Sequence, residues 1–165
     1  RLSAAPWYDG TMARIDFYHL QKWPLERALP ELLERVLSRG LKAVVTTGSP
    51  ERAKDLDSLL WTYTEDSWLP HGSKGGGDPA LQPVWITDAA ENPNGATVLV
   101  ITEGADFLDP SGFERVLDIF DGAVQDDVEA ARRRWASLRD AGHDLSYWQQ
   151  DGNGRWTQKA NSAKS

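Results

Sequence analysis

The sequence has no cysteine and only three histidines among its 165 residues. Without cysteine the chain cannot form disulfides, thiolate zinc sites, iron–sulfur clusters or a cysteine nucleophile. The histidines, His19, His71 and His143, lie in unrelated segments without the helical spacing of metal ligands. We therefore expect no metal site and no cofactor, and any binding function must depend on charged, aromatic and aliphatic side chains.

Long apolar runs and an excess of basic residues are also missing. No stretch approaches the ~18 apolar residues of a membrane helix, and the amino end lacks the layout of a signal peptide. These absences predict a cytoplasmic protein. Lys and Arg number 18 against 25 Asp and Glu, a formal charge of −7. Such a balance disfavours direct binding of single-stranded DNA, so contact with DNA is expected to be indirect, and an anionic partner would need a local basic patch.

What the sequence does contain predicts a single α/β domain. A chain of this length normally forms one hydrophobic core. Residues 14–20 alternate like a half-buried strand, and apolar residues from Leu25 to Leu37 recur at helical spacing up to Gly40. Further strands are predicted near 41–47, 83–88, 97–102 and 115–120, and further helices over 50–60 and 125–141. This alternation predicts a mostly parallel sheet covered by helices, with the outline of a nucleotide-binding domain.

The two ends are set apart from this domain. Residues 1–11 carry no periodic pattern and are interpreted as an extension or an expression remnant. Residues 12–145 form the predicted α/β domain. Residues 146–165, with aromatic residues around a short glycine-containing turn, are interpreted as a C-terminal tail or hairpin.

Motifs for phosphate binding and catalysis are absent from the sequence. The glycine run 75–77 is followed by Asp78 and Pro79 where a phosphate loop needs lysine and serine or threonine. No serine-nucleophile motif occurs either. We therefore predict no catalytic residues. A small α/β enzyme acting on a phosphorylated metabolite, with residues 72–79 as a lid, stays open as an alternative by analogy of fold alone.

The last predicted helix presents one distinctive face. Arg132, Trp135 and Arg139 are spaced three and seven residues apart, so one indole lies between two guanidinium groups. Such a face suits a peptide that carries acidic residues and an aromatic or aliphatic end. The same helix also carries the spacing of an ordinary core stripe, which is formed by Val124, Val128, Ala131, Trp135 and Leu138. Both interpretations of Trp135 remain open at this point.

A second aromatic feature is the pair Trp61 and Trp68, with Tyr63 between them. The chain has eight tryptophans, and tryptophan is enriched where proteins recognise partners. If exposed, this pair would form a docking patch. If buried, it belongs to the core.

Three segments together resemble one protein family. They are residues 12–20 (MARIDFYHL), residues 56–71 (LDSLLWTYTEDSWLPH), and residues 131–145, in which Arg132, Trp135 and Arg139 precede Asp-Ala-Gly142. Their order and spacing resemble the chi subunit of bacterial DNA polymerase III, over about residues 12–145.

The resemblance implies a non-catalytic accessory protein with an α/β fold that binds no nucleotide. Chi subunits associate with the clamp-loader complex, usually through the psi subunit. They also bind the acidic carboxyl-terminal tail of single-stranded DNA-binding protein, and so connect the replicase to coated DNA. By this resemblance the chain takes part in DNA replication.

The resemblance also assigns residues position by position. Arg132 and Arg139 match basic positions of the tail-binding site, and Trp135 matches a tyrosine there. Phe120 matches an aliphatic residue of the pocket for the tail's last aromatic side chain. The tryptophans of the second feature, Trp61 and Trp68, match the aromatic positions that dock psi or a helicase.

Two positions depart from the family pattern. Ala136 and Val128 stand where the family has lysines. Tail binding is therefore expected to be weaker, unless Arg133 and Arg134 supply the missing charge from a neighbouring direction.

Overall fold

The computed structural model describes residues 13–62, 72–73, 78–102, 105, 110 and 112–161. Within these residues the strands are β1 (Arg14–Leu20), β2 (Ala43–Thr46), β3 (Gly72–Ser73), β4 (Val84–Thr87), β5 (Val98–Thr102), β6 (Arg115–Asp121), β7 (Asp144–Gln150) and β8 (Trp156–Asn161). The helices are α1 (Leu25–Ser38), α2 (Pro50–Thr62) and α3 (Gln125–Asp140), with a 3-10 turn at Pro79–Leu81.

All the described strands belong to one sheet, in the order β3-β4-β2-β5-β6-β1-β7-β8. The neighbouring strands pair in parallel, except that β8 runs antiparallel to β7. The predicted α/β class and mostly parallel sheet are confirmed. The central strands are buried on both faces, which is why β2, β4 and β5 are almost entirely apolar in sequence.

Each face of the sheet has its own hydrophobic core. On one side, which we call the α1 face, α1 and α2 contribute Leu29, Leu33, Leu56 and Leu60 to a cluster with alternate strand residues. The opposite side is the α3 face. There Phe17 and the strand residues that point to the same side of the sheet pack against α3. Because side chains alternate along a strand, neighbouring residues of β1 lie in different cores.

The ends of the elements follow local chemistry. Ser49 accepts a hydrogen bond from the backbone N–H of Arg52 at 3.1 Å, as expected of an N-terminal cap. Pro30 is the sixth residue of α1 rather than a first-turn residue, so the helix continues past a position that cannot donate a backbone hydrogen bond. Within residues 144–161, β7 and β8 form an antiparallel hairpin.

Within the described part of the chain, no helix is both long enough and apolar enough to cross a lipid bilayer.

Candidate functional site

A cavity of about 330 Å³ lies between α3 and the sheet, and we call it the α3 cavity. Its apolar walls come from four elements, β1, β6, α3 and β8, and consist of Phe17, Phe120, Val128, Ala131, Trp135 and Ala160. His19, Arg132 and Tyr147 complete the lining. The volume is at the lower end of the ~300–1,000 Å³ typical of ligand pockets, so it suits one bulky side chain rather than a large ligand.

Aromatic rings hold the walls of the α3 cavity in place. Trp135 is half-buried and meets Phe17 edge to face, with ring centroids 5.4 Å apart. Its indole also lies edge-on to Tyr147, at 6.4 Å. Phe120 is buried and stacks on the His19 ring at 4.9 Å. Such contacts fix ring orientation, and an incoming aromatic side chain can add to the same cluster.

One end of the α3 cavity is polar. The Gln149 amide donates a hydrogen bond to the Tyr147 hydroxyl oxygen at 2.7 Å. The Tyr147 hydroxyl is in turn in close hydrogen-bond contact with Nδ1 of His19. The phenol oxygen therefore bridges the Gln149 amide and the imidazole, and the amide nitrogen of Gln149 also lies 3.4 Å from Nδ1 of His19. These contacts fix the orientation of the His19 ring.

Burial lowers the pKa of His19 below its ordinary 6.5. The Asp121 carboxylate acts in the opposite direction, and the Arg132 guanidinium adds to the lowering. A neutral imidazole places no positive charge beside an aromatic ligand. Around neutral pH the charge at this cavity therefore comes from Arg132.

Gly122 makes room for the imidazole. A Cβ at this position would collide with the His19 ring and would lie 2.7 Å from the carbonyl oxygen of Leu20. The tight turn after β6 therefore requires glycine so that His19 can lie against Phe120.

The structure brings three of the four residues predicted for the tail site to one place. Phe120 and Trp135 line the α3 cavity, and Arg132 is an exposed residue at its edge. Arg139 does not line it. Its side chain is 51% exposed about two turns further along α3, and its guanidinium lies 3.5 Å from the Asp140 carboxylate.

Arg134, one of the two arginines that the sequence offered as a replacement for the missing lysines, is paired inside the protein. Its guanidinium makes two hydrogen bonds, of 2.6 and 2.8 Å, to the buried carboxylate of Asp118 on β6. Burial raises the pKa of Asp118, and the paired guanidinium opposes that rise. This arginine neutralises a carboxylate beneath α3 and is therefore unavailable to a ligand of the α3 cavity.

The two departures from the family pattern have different surroundings. Val128 lines the α3 cavity and packs against the core of the α3 face. An apolar side chain therefore extends the wall where a lysine would place a charge. Ala136 is half-buried and does not belong to the lining.

The second predicted surface falls largely outside the described residues. Trp61 lies in the last turn of α2, and its side chain is not among those described. Trp68 lies outside the described residues, as do residues 74–77 of the glycine loop proposed as a lid. The pairing of the two tryptophans therefore stays a prediction.

Several residues of the α3 cavity were not predicted from the sequence. Phe17, His19 and Tyr147 lie on two strands that pair in parallel, with Phe17 opposite Tyr147 in register. The alternation of β1 does place residues 15, 17 and 19 on one face. Nothing local to the sequence shows that β7 pairs with β1, so no sequence signal joins Tyr147 to His19.

Comparison with known proteins identifies the family of the chain. The family model described as "DNA polymerase III chi subunit, HolC" matches residues 12–146. A probable DNA polymerase III subunit chi of Rickettsia prowazekii (strain Madrid E) is 37% identical over 108 residues, 66% of this chain. The aligned region spans 62% of that relative's length. The chain therefore belongs to the DNA polymerase III chi subunit family.

Proposed function

We propose that this protein is a non-catalytic accessory subunit that connects the clamp-loader complex to single-stranded DNA-binding protein in the cytoplasm. In this proposal it binds the acidic carboxyl-terminal tail of that protein and reaches coated DNA through it. Membership of the chi family supports a place in the polymerase III holoenzyme. The observation that carries the proposal is the α3 cavity, an aromatic-walled cavity with an exposed arginine at its edge.

The geometry suggests how such a tail is held. The last aromatic side chain enters the α3 cavity and packs between Phe120 and Trp135. Arg132, at the edge, pairs with the terminal carboxylate or with an acidic side chain just before it, as guanidinium groups do with carboxylates. Arg139, further along the same helix, attracts the acidic residues that precede the aromatic one. Burying the terminal ring contributes about 1.5–3 kcal/mol.

Peptide titration tests this proposal. A fluorescent peptide ending in Asp-Asp-Ile-Pro-Phe should bind the full chain with micromolar affinity, and the affinity should fall as salt rises. The Arg132→Ala variant should bind about tenfold more weakly, a loss of about 1.4 kcal/mol. A peptide without its final Phe should lose more, because the apolar cavity then stays empty.

The neighbouring Arg133→Ala variant is the matched control. Arg133 is exposed on the same helix but does not line the α3 cavity. Its replacement changes the net charge by the same amount as Arg132→Ala does, but it should weaken peptide binding much less. Absence of binding at low salt would refute the proposal. So would equal losses in the two variants, because binding would then follow overall charge and not the cavity.

We further propose that Trp61 and Trp68 form a separate surface for psi or another clamp-loader or helicase partner. The family match, which includes both positions, supports this. A variant with both residues changed to alanine should lose co-purification with clamp-loader components but keep peptide affinity. Loss of both together would indicate that these rings stabilise the fold, and would contradict a separate surface.

A further inference from the structure

A second and larger cavity, of about 610 Å³, lies on the α1 face. It is formed by α1, the strands β1, β5 and β6, and the β7–β8 hairpin. We call it the arginine cavity. It shares no lining residue with the α3 cavity, because Tyr18 and Trp148 point to one side of the sheet while Phe17 and Tyr147 point to the other.

The lining of the arginine cavity is strongly basic. Five guanidinium groups line it, those of Arg14, Arg35, Arg39, Arg115 and Arg155, and no carboxylate does among the described residues. Arg35 and Arg39 are exposed, and within the described chain neither forms an ion pair. A chain with a net charge of −7 thus concentrates positive charge in one concave place. Such a concentration attracts an anionic ligand.

One buried carboxylate, that of Asp16, lies beneath the lining, 3.0 Å from the Arg115 guanidinium and 3.7 Å from that of Arg14. Asp16 is fully buried and accepts hydrogen bonds from Nε of Arg115, at 3.2 Å, and from the indole N–H of Trp148, at 3.0 Å. It therefore fixes a guanidinium and an indole before any ligand arrives. The Trp148 ring lies parallel to Tyr18, with a 13° interplanar angle, and Trp156 meets Tyr18 edge-on at 4.9 Å.

Trp23 forms a further aromatic wall. Its backbone N–H donates to the side chain of Gln150 at 3.1 Å, and the Arg27 guanidinium lies 3.9 Å above its ring. A Cβ on Gly154 would lie 2.5 Å from the Trp23 ring, so the hairpin turn needs glycine for the indole to approach this closely. The Trp23 indole is thus held in place by the Arg27 guanidinium and by the turn at Gly154.

We propose that the arginine cavity binds a short segment of single-stranded nucleic acid, with phosphates on the arginines and bases against the indole rings. Aromatic side chains beside a basic groove, on the face of a sheet, are the features that hold unpaired bases and their backbone. An acidic peptide would use the arginines but would leave the half-buried rings of Trp148 and Trp156 without a planar partner. This interaction is independent of the tail-binding proposal.

Two properties of the cavity agree with a nucleic acid ligand. Burial, helped by the nearby Asp16 carboxylate, raises the pKa of Tyr18 to about 12. A tyrosine is neutral near pH 7 even at its ordinary pKa of 10, and the shift keeps the phenol free of negative charge at alkaline pH as well. The net charge of −7 disfavours DNA binding by the surface as a whole. A local cluster of arginines still attracts a phosphate group, because a direct contact is shorter than the distance over which salt screens charges.

Fluorescence anisotropy of a labelled oligothymidylate of about 12 nucleotides tests the inference on the full chain. The oligonucleotide should bind at low salt and dissociate as salt rises. An Arg35→Ala/Arg39→Ala double variant should bind on the order of tenfold more weakly, and its log–log salt slope should be smaller by about 1.4. Trp156→Ala should also weaken binding, because a stacking surface is lost.

The Arg132→Ala variant is the control, since Arg132 lies at the other cavity. It should keep its affinity for the oligonucleotide while losing affinity for the acidic tail peptide. No oligonucleotide binding at low salt would overturn the inference. So would equal weakening in the control and the double variant. Binding of an acidic peptide, but not of the oligonucleotide, that depends on Arg35 and Arg39 would overturn it in favour of a protein partner.

Discussion

At the scale of single residues, His19 links the polar end of the α3 cavity to its aromatic wall. It contacts the Tyr147 hydroxyl on one side and stacks on Phe120 on the other. Its pKa is lowered by burial. The unfolded chain therefore takes up a proton at this residue at a higher pH than the folded chain does. Its contribution to stability is present above pH 6.5, the ordinary histidine pKa, and is lost as the pH falls below it.

We predict that acidification destabilises the protein partly through His19. Between pH 7.5 and pH 5.5, the free energy of unfolding of the wild type should fall more than that of His19→Gln, in which the amide still has a hydrogen-bonding group for Tyr147. Urea denaturation at the two pH values measures this difference. His71 and His143 are present in both proteins, so their contributions cancel. An equal fall in both proteins would contradict the placement of His19.

The separate residues of the candidate site differ in how far the sequence could predict them. Arg132 and Trp135 share one helix, so their spacing alone places them on one face. Phe120 was placed by family resemblance, and the structure locates it beside Trp135. His19 and Tyr147 are 128 residues apart, and only the pairing of β1 with β7 brings them together. Strand pairing over such a separation is a tertiary property that local periodicity does not encode.

At the scale of elements, α3 presents different chemistry to the sheet and to solvent. Arg134 points under the helix to the buried Asp118, whereas the adjacent Arg133 is exposed. These two residues therefore carry the same charge but have opposite structural roles. Removing one partner of a buried pair leaves the other charge without compensation.

We predict that Arg134→Met lowers the free energy of unfolding by about 3–5 kcal/mol near neutral pH. Arg133→Met, the matched control, should change it by no more than about 0.5 kcal/mol. The loss in Arg134→Met should shrink at acidic pH, because the raised pKa of Asp118 lets that carboxyl become neutral there. Chemical denaturation measures both variants. If adding Asp118→Asn to Arg134→Met restores no stability, the pair is not the cause.

Most elements were predictable because their local patterns agree with their burial. The alternation over residues 14–20 and the helical stripe from Leu25 correspond to β1 and α1. β8 was harder to predict, because its sequence, WTQKAN, is polar and mostly exposed, with no apolar face to reveal it. Its pairing with β7 mainly satisfies backbone groups, and Trp156 is its one large apolar side chain, so the sequence left both a tail and a hairpin open.

At the scale of the whole molecule, the two faces of one sheet present two kinds of surface. The α3 face holds an apolar cavity with an arginine at its edge, and the α1 face holds a larger, basic cavity. The net charge of −7 describes neither of them. Alternation along β1 and β7 separates the two cavities, so they share no lining residue.

The central claim is that the acidic tail binds in the α3 cavity, and indole N–H resonances test it most directly. Titration of the nitrogen-15-labelled chain with the tail peptide should shift the Trp135 indole N–H signal, since its ring forms the cavity wall. The Trp148 indole N–H, hydrogen-bonded to Asp16 on the opposite face, should stay in place. Variants of each tryptophan assign the two signals. A bound peptide that moves the Trp148 signal and leaves Trp135 unchanged would contradict the account.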